Sequence, residues 1–370
     1  MEKHAHVFDE FATFENMYDG YLLARKNKRT KKEVLEYSAH LEEYMINDVN
    51  RLRWHTYETG EPREFYEYYP KVRLIHCMPF NDRVINCAAY NVLWPIYAKS
   101  FYEHSYGSIP QKGQQKAIDK VQYWMRLVGE GWFIGKLDIA KFFFRIPVHI
   151  QIRELMRPID DPEMEWFLRK AILCDGRPFG LPLDCTDVTT AERISGVGMQ
   201  VGSLISQTTA NVALTPLDHY VKRVLQVPYY ARYMDDMIIL CPSKEDCWNA
   251  ITDIDVFLRE NLGLQLNNKT AVIPVGKGVE FVGRMIWPGR VSLRKSTSLS
   301  MKQHLRYVME HFNSGELPFD YCDSVIKSYL GLMSHCDCKD LRDKVLEDFV
   351  LVKHWFGEEE YDEDLESLLE

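Results

Sequence analysis

Two adjacent carboxylates, Asp235 and Asp236, interrupt stretches that otherwise favour strands: Val227-Pro228-Tyr229-Tyr230-Ala231-Arg232 before them and Met237-Ile238-Ile239-Leu240-Cys241 after. Aromatic and branched residues on both sides predict a hairpin whose turn is Tyr233-Met234-Asp235-Asp236. Neighbouring like charges repel, and a bound cation relieves that repulsion. Hard Mg²⁺ takes carboxylate oxygen and is commonly held by one or two carboxylates plus substrate phosphates. Solvated loops carry such pairs too, so a further acidic residue has to decide the chemistry. Asp138 supplies it, set within the apolar run Phe133-Ile134-Gly135-Lys136-Leu137-Asp138-Ile139-Ala140-Lys141-Phe142-Phe143-Phe144, which predicts another strand. Two-metal phosphoryl transfer needs carboxylates from separate strands converging on ions about 3.5–4 Å apart. Asp138 beside the Asp235–Asp236 hairpin is a set of that kind.

The elements that must position these residues show in the periodicity. Apolar residues at helical spacing predict helices over 8–23, 33–53, 80–101, 114–128 and 244–262, with helical patterning after 150 and a separate all-α piece over 296–354. The stretch 64–77 predicts a hairpin turning near Pro70-Lys71, with Arg73 pointing a fork-shaped guanidinium suited to phosphate off one strand. Gly-rich residues 196–203 open a helix, where free N–H groups and small residues let a nucleotide come close. Residues 279–287 predict a further hairpin. Arg25, Lys26, Lys28, Arg29, Lys31 and Lys32 form the densest basic run, either a solvated loop or a contact to a phosphate backbone. The sequence Ser334-His335-Cys336-Asp337-Cys338 has no second ligand pair at workable spacing, which argues against zinc.

A chain of 370 residues with 46% hydrophobic and 13% aromatic content is ordered and long enough for two or three subdomains. No run approaches 18 apolar residues, and Met1-Glu2-Lys3-His4 lacks a signal-peptide layout, so the expectation is a soluble intracellular protein. Nine scattered cysteines suit a reducing compartment. The net charge of −9 is local: residues 357–370 hold eight acidic and no basic side chains, leaving the body near neutral.

Taken in order, these segments resemble a reverse transcriptase over about residues 8–350. Asp138 falls at the family's first catalytic aspartate, and Tyr233-Met234-Asp235-Asp236 at its catalytic turn. Lys269-Thr270 matches the lysine-bearing palm loop, and Phe281-Val282-Gly283 the primer-grip hairpin. Within the family the chain is most similar to bacterial enzymes of diversity-generating retroelements. The resemblance rests on Arg73-Leu74-Ile75 with Asp82-Arg83-Val84, Ser105-Tyr106-Gly107-Ser108 with Lys112-Gly113, Val201-Gly202-Ser203-Leu204-Ile205-Ser206-Gln207, and Trp287 with Leu293-Arg294-Lys295-Ser296. Most reverse transcriptases have Gln before that Gly and Pro after the second Ser, where this chain has Val201 and Gln207. Gln200 stands where Pro is usual, and 184–195 reads as an insertion.

The resemblance implies an α+β right-hand polymerase: a helical extension over 1–60, fingers over 61–130, a palm over 131–290 with a fingers-type insertion at about 150–200, an α-helical thumb over 291–356, and an acidic tail. It implies an RNA-directed DNA polymerase copying template RNA into error-prone cDNA. The alternative is an antiphage defence enzyme making effector cDNA; a group II intron protein fits less well, with only the tail after the thumb. Two Mg²⁺ ions, for which Mn²⁺ can substitute, would be held by Asp138, Asp235, Asp236 and the Ile139 carbonyl. Lys71 and Arg73 would hold phosphates, and Lys269 would protonate pyrophosphate unless it is only a surface lysine. Phe143 would exclude a 2′-hydroxyl unless it is a core residue. Val201, Gly202 and Gln207 would line the nucleotide. Expected partners are template RNA, nascent cDNA, dNTPs and a small basic accessory protein, with no membrane, in the cytoplasm of a bacterium or from a phage gene.

Overall fold

The computed structural model describes residues 3–67 and 72–352. Lys71, the turn expected at Pro70-Lys71 and the acidic stretch 357–370 lie outside the described residues. The chain divides into two units, 1–120 with 130–274, and 121–129 with 275–370.

The first unit opens with α1 (Val7–Phe11), α2 (Phe14–Ala24), α3 (Lys32–Ala39) and α4 (Leu41–Arg53). The helix expected over 8–23 is therefore two, because Thr13 turns extended and caps α2 by accepting the Asn16 N–H at 3.2 Å. The helix expected over 33–53 breaks likewise at His40. Strands β1 (Arg63–Glu67) and β2 (Arg73–Cys77) pair antiparallel. Helix α5 (Phe80–Ala98) packs against α2, and together with Phe8, Phe11, Tyr21 and Tyr37 it builds the first apolar core.

That core encloses an acid. Asp48, on α4, is fully buried and accepts the Tyr37 hydroxyl at 3.1 Å. Burial pushes its carboxyl up to about 6 from an ordinary 3.8, against the opposing pull of Tyr37 and Arg51. A folded-state pKa above the unfolded one gives stability that is complete below 3.8 and lost as pH rises through 6. Stability should fall by roughly 3 kcal/mol over that window relative to Asp48→Asn, two units at about 1.4 kcal/mol each. Urea melts at pH 4 and pH 7 check this; parallel pH dependence in both proteins would refute it.

Next come α6 (Gln114–Val128), whose residues from Val121 on belong to the second unit, then β3 (Phe133–Asp138), α7 (Phe142–Arg145), α8 (Val148–Met156), α9 (Pro162–Leu173) and α10 (Leu204–His219). The strand expected over 133–144 stops at Asp138. Lys141 takes a left-handed φ of 48° and the three phenylalanines start a helical turn, a distinction that a continuous apolar run cannot make. Strands β4 (Tyr229–Tyr233) and β5 (Asp236–Cys241), helix α11 (Lys244–Phe257) and strand β6 (Ala271–Pro274) complete the unit. The sheet is antiparallel in the order β4-β5-β3-β6. Leu137, Met237, Ile239 and Cys241 share the face that packs on α10 and α11, forming the second core.

The second unit contains a three-stranded meander, β7 (Val279–Phe281), β8 (Arg284–Ile286) and β9 (Val291–Leu293), followed by α12 (Lys295–Asn313), α13 (Phe319–Ser334) and α14 (Lys339–Asp348). The hairpin expected over 279–287 is present, with β9 as an added strand. Burial pushes the Cys336 thiol up to about 11. Among the described residues no helix is long and apolar enough to cross a membrane.

Candidate active site

Strand pairing brings the expected carboxylates together. Asp138, last in β3, is the register partner of Asp236, first in β5, and the Ile139 N–H donates to the Asp235 carbonyl at 3.3 Å. Register partners in an antiparallel pair place their side chains on one face, with Cα atoms about 4.5–5.5 Å apart. Here that face is opposite the one packed on α10 and α11. The hairpin turn is tighter than the sequence suggests: Tyr233 already pairs with Asp236, so Met234 and Asp235 alone form the bend. All three carboxylates are half-buried.

Like charges opposed across a ladder are destabilising, and hard oxygen donors on one face suit a divalent cation. Among the described residues no three His, Cys, Asp or Glu side chains converge tightly enough to hold an ion unaided. Carboxylate oxygens are the donors that Mg²⁺ takes, commonly one or two of them with substrate phosphates supplying the rest.

Asp138 is anchored by a residue the motif reading passed over. Asn267 donates its main-chain N–H to the Asp138 carbonyl at 2.7 Å and its side-chain amide to Asp138 Oδ2 at 3.1 Å. Lys269 follows two positions later, exposed on the same turn, with its N–H on Asn267 Oδ1 at 3.1 Å.

The Met234–Asp235 bend is held from below by a second group the sequence reading missed. Arg232, wholly buried, grips Asp218 in a fork with both bonds 2.7 Å. Its remaining nitrogen, Nη1, donates to Asn211 Oδ1 and to the Met234 carbonyl, each at 3.2 Å. Tyr230 adds its hydroxyl to Asp218 at 2.7 Å. Met234 itself has φ 55°, a conformation that costs a non-glycine residue about 1–3 kcal/mol and must be imposed by its surroundings. Gly107 completes the seat: a Cβ there would lie 2.6 Å from the Met234 side chain, and Asn211 donates to its carbonyl at 2.8 Å. The available signal was Asn211 and Asp218 seven apart in an apolar helix, hence on one face.

The remaining expected residues fall into separate groups. The His76 N–H donates to the Val201 carbonyl at 3.0 Å, joining β2 to the Val201–Gly202 loop. Gly202 has φ 116°, and a Cβ on it would sit 3.2 Å from the His76 carbonyl, so only glycine fits without strain. Arg73 is exposed at the start of that strand, and Gln207 is exposed on α10. Phe142 takes the core position, leaving Phe143 half-buried with its carbonyl accepting the Met199 N–H at 2.8 Å. Five of the six basic residues of the 25–32 run are exposed, whereas Arg25 donates to the Tyr21 hydroxyl at 2.9 Å. In the second unit, Phe281 is buried and Val282-Gly283 form the bend of the β7–β8 hairpin, both with positive φ.

An antiparallel sheet that opposes aspartates at the mouth of a hairpin, backed by helices, is the α+β right-hand polymerase fold. Residues 67–286, over half the chain, match the reverse transcriptase (RNA-dependent DNA polymerase) family. The chain belongs to that family. It is 24% identical over 303 residues to the COX1/OXI3 intron 2 protein of Saccharomyces cerevisiae, covering 63% of this chain and 34% of that protein. It is 23% identical over 251 residues to protein YkfC of Escherichia coli, covering 58% and 63%. The chain thus spans less than two thirds of either relative. Among solved structures, telomerase from Candida albicans with a telomeric RNA fragment aligns over 87% of this chain and 60% of its own, at 13% identity and a TM-score of 0.45.

Proposed function

We propose that this chain is an RNA-directed DNA polymerase whose centre is Asp138, Asp235 and Asp236. The observation that carries the reading is the pairing of Asp138 with Asp236 while Ile139 bonds to the Asp235 main chain. In this reading the three carboxylates and the Ile139 carbonyl hold two Mg²⁺ ions. When bound, such ions lower the pKa of the primer 3′-hydroxyl and neutralise the triphosphate. Asn267 keeps the Asp138 carboxylate aimed. Arg73, with Lys71, binds the β- and γ-phosphates; Phe143 lies under the sugar and rejects a 2′-hydroxyl. Lys269 carries a proton to the departing pyrophosphate, and Phe281-Val282-Gly283 steady the primer. The basic residues of 25–32 track the RNA backbone. Residues 61–130 serve as fingers, 131–290 as palm and 291–356 as thumb.

Extension of a DNA primer on an RNA template tests this directly. Incorporation of dNTPs, abolished by EDTA and far weaker with rNTPs, is expected; no incorporation with Mg²⁺ or Mn²⁺ would end the reading.

The finer assignment is mutagenic cDNA synthesis in a diversity-generating retroelement, in the cytoplasm and with a small basic accessory protein. Val201 and Gln207 support it. An aliphatic side chain where relatives hydrogen-bond removes a polar contact that discriminates right from wrong bases. Val201→Gln should lower misincorporation opposite template adenine by about tenfold, what one hydrogen bond of roughly 1.4 kcal/mol supplies. Unchanged errors in sequenced cDNA would remove the argument. Sequencing RNA and cDNA that co-purify with the protein separates diversification, with adenine-directed changes, from production of a defence effector.

A further inference from the structure

At the C-terminal end of α10, the first unit has an open cavity of about 950 Å³ that the catalytic reading does not use. Its walls come from the ends of α8, α10 and α11. Lys3, Arg153, Arg157 and Arg223 line it, against one carboxylate, Glu154. Glu154 is buried and already engaged, by Arg153 at 2.7 Å and Arg157 at 3.5 Å. Arg153 also donates to the Asn261 carbonyl at 3.0 Å, tying two walls together. Lys3, Arg157 and Arg223 stay exposed. His219 stands among them: burial lowers its imidazole pKa first and Arg223 next, with Asp218 opposing and Arg157 adding to the fall. Outside the acidic stretch 357–370 the chain is near neutral, so an excess of cations in one groove is a local segregation of charge.

The backbone is unusual at the same place. Two helices end there in wide, π-type turns, Tyr220–Val224 and Leu258–Leu262. The Leu225 N–H reaches the Tyr220 carbonyl at 3.1 Å, and Gly263 closes onto Leu258. Such wide turns are uncommon, and here both border the same groove. Between them Tyr220 stacks on Phe257 with ring centroids 4.5 Å apart, giving the groove an aromatic surface. Guanidinium forks beside an aromatic surface suit a sugar–phosphate backbone.

The groove lies apart from the loop that the proposed function sets against the nucleotide. The Val201–Gly202 loop precedes the N-terminus of α10, and 16 helical residues separate it from His219, about 24 Å at 1.5 Å per residue.

We propose that this groove is a second RNA-binding site, gripping the phosphodiester backbone of RNA outside the segment being copied. The inference rests on the polymerase reading and adds to it a means of holding the template molecule between rounds of synthesis.

The test pairs Arg157→Gln with Arg223→Gln, both exposed and neither assigned to the catalytic centre. Binding of a long hairpin-containing RNA is measured across salt, beside extension of a short primer on a short unstructured template. The double variant should lose about tenfold in RNA affinity near 0.15 M salt, and its log–log salt slope should shrink by about two, one per lost phosphate contact. Short-template extension should stay at the wild-type rate. RNA carrying 4-thiouridine should photocross-link the wild-type protein within Tyr220–Val224. Wild-type affinity and slope in the variant, cross-links only elsewhere, or an equal loss of short-template extension would each overturn the proposal. So would tripolyphosphate or an acidic peptide occupying the groove while RNA binding stays unchanged. A wild-type protein that extends no primer defeats the polymerase reading instead, a result the binding arm does not share.

Discussion

Asp235→Asn should abolish primer extension, by about a thousandfold or more, while the protein stays folded and still binds RNA. The expected loss is at least that seen when one charge-stabilising group is removed from an acyl- or phosphoryl-transfer site. The substitution is close to isosteric. It keeps the main-chain carbonyl that accepts Ile139 N–H at 3.3 Å, so the link between the hairpin and β3 survives. It also removes one of three like charges gathered at a strand end, two of them register partners. Metal-free, the variant should therefore melt no lower than the wild type, because opposed like charges destabilise a ladder. A thermal melt in EDTA and a primer-extension assay in Mg²⁺ measure the two effects separately. If the variant extends a primer at the wild-type rate, Asp235 does not hold the cation and the centre has been misassigned.

How far the sequence discloses this site depends on how local each feature is. Asp138, Asp235 and Asp236 stand out because a charge in an apolar run is conspicuous, and pairing of the runs then follows from strand propensity. The hairpins over 64–77 and 279–287 and the helix over 114–128 show for the same local reasons. The end of β3 does not. Ile139 leaves the ladder where Leu266 bridges it and Lys141 turns left-handed, but the residues remain apolar through Phe144. Periodicity cannot separate a buried strand from a buried helical turn there. The supports of the carboxylates are less visible still. Asn267 meets Asp138 across 129 positions, and Asn211 meets Gly107 across 104. Arg232 reads in sequence as one more strand residue beside aromatics. Only the fold brings it onto Asp218, in a helix that composition marks as apolar.

That buried pair yields the other large effect. Asp218→Ala strands a guanidinium in a wholly buried site, and breaking a buried ion pair from one side costs about 3–5 kcal/mol. Most of a single domain's stability is of that order, so the variant should unfold at markedly lower urea. Replacing both partners, Arg232→Met with Asp218→Leu, removes the stranded charge and should recover part of the loss, since apolar replacement of a whole pair is often near neutral. Tyr230 and Asn211 each still lose a partner, which limits the recovery. Activity should not return with stability. A hydrogen bond from a charged donor is worth about 1.5–3 kcal/mol, enough to offset the roughly 1–3 kcal/mol that Met234 pays for its left-handed backbone. Without the Arg232 bond to the Met234 carbonyl, the bend can relax and carry Asp235 and Asp236 out of line with Asp138. The doubly substituted protein should therefore show kcat reduced by about ten- to a hundredfold, the loss typical when an outer support of a metal-ligating residue is removed, with KM for dNTP little changed. A refolded double variant with wild-type kcat would mean that the pair only stabilises the fold. In that case the aspartates are aligned by Asn267 and the strand register alone.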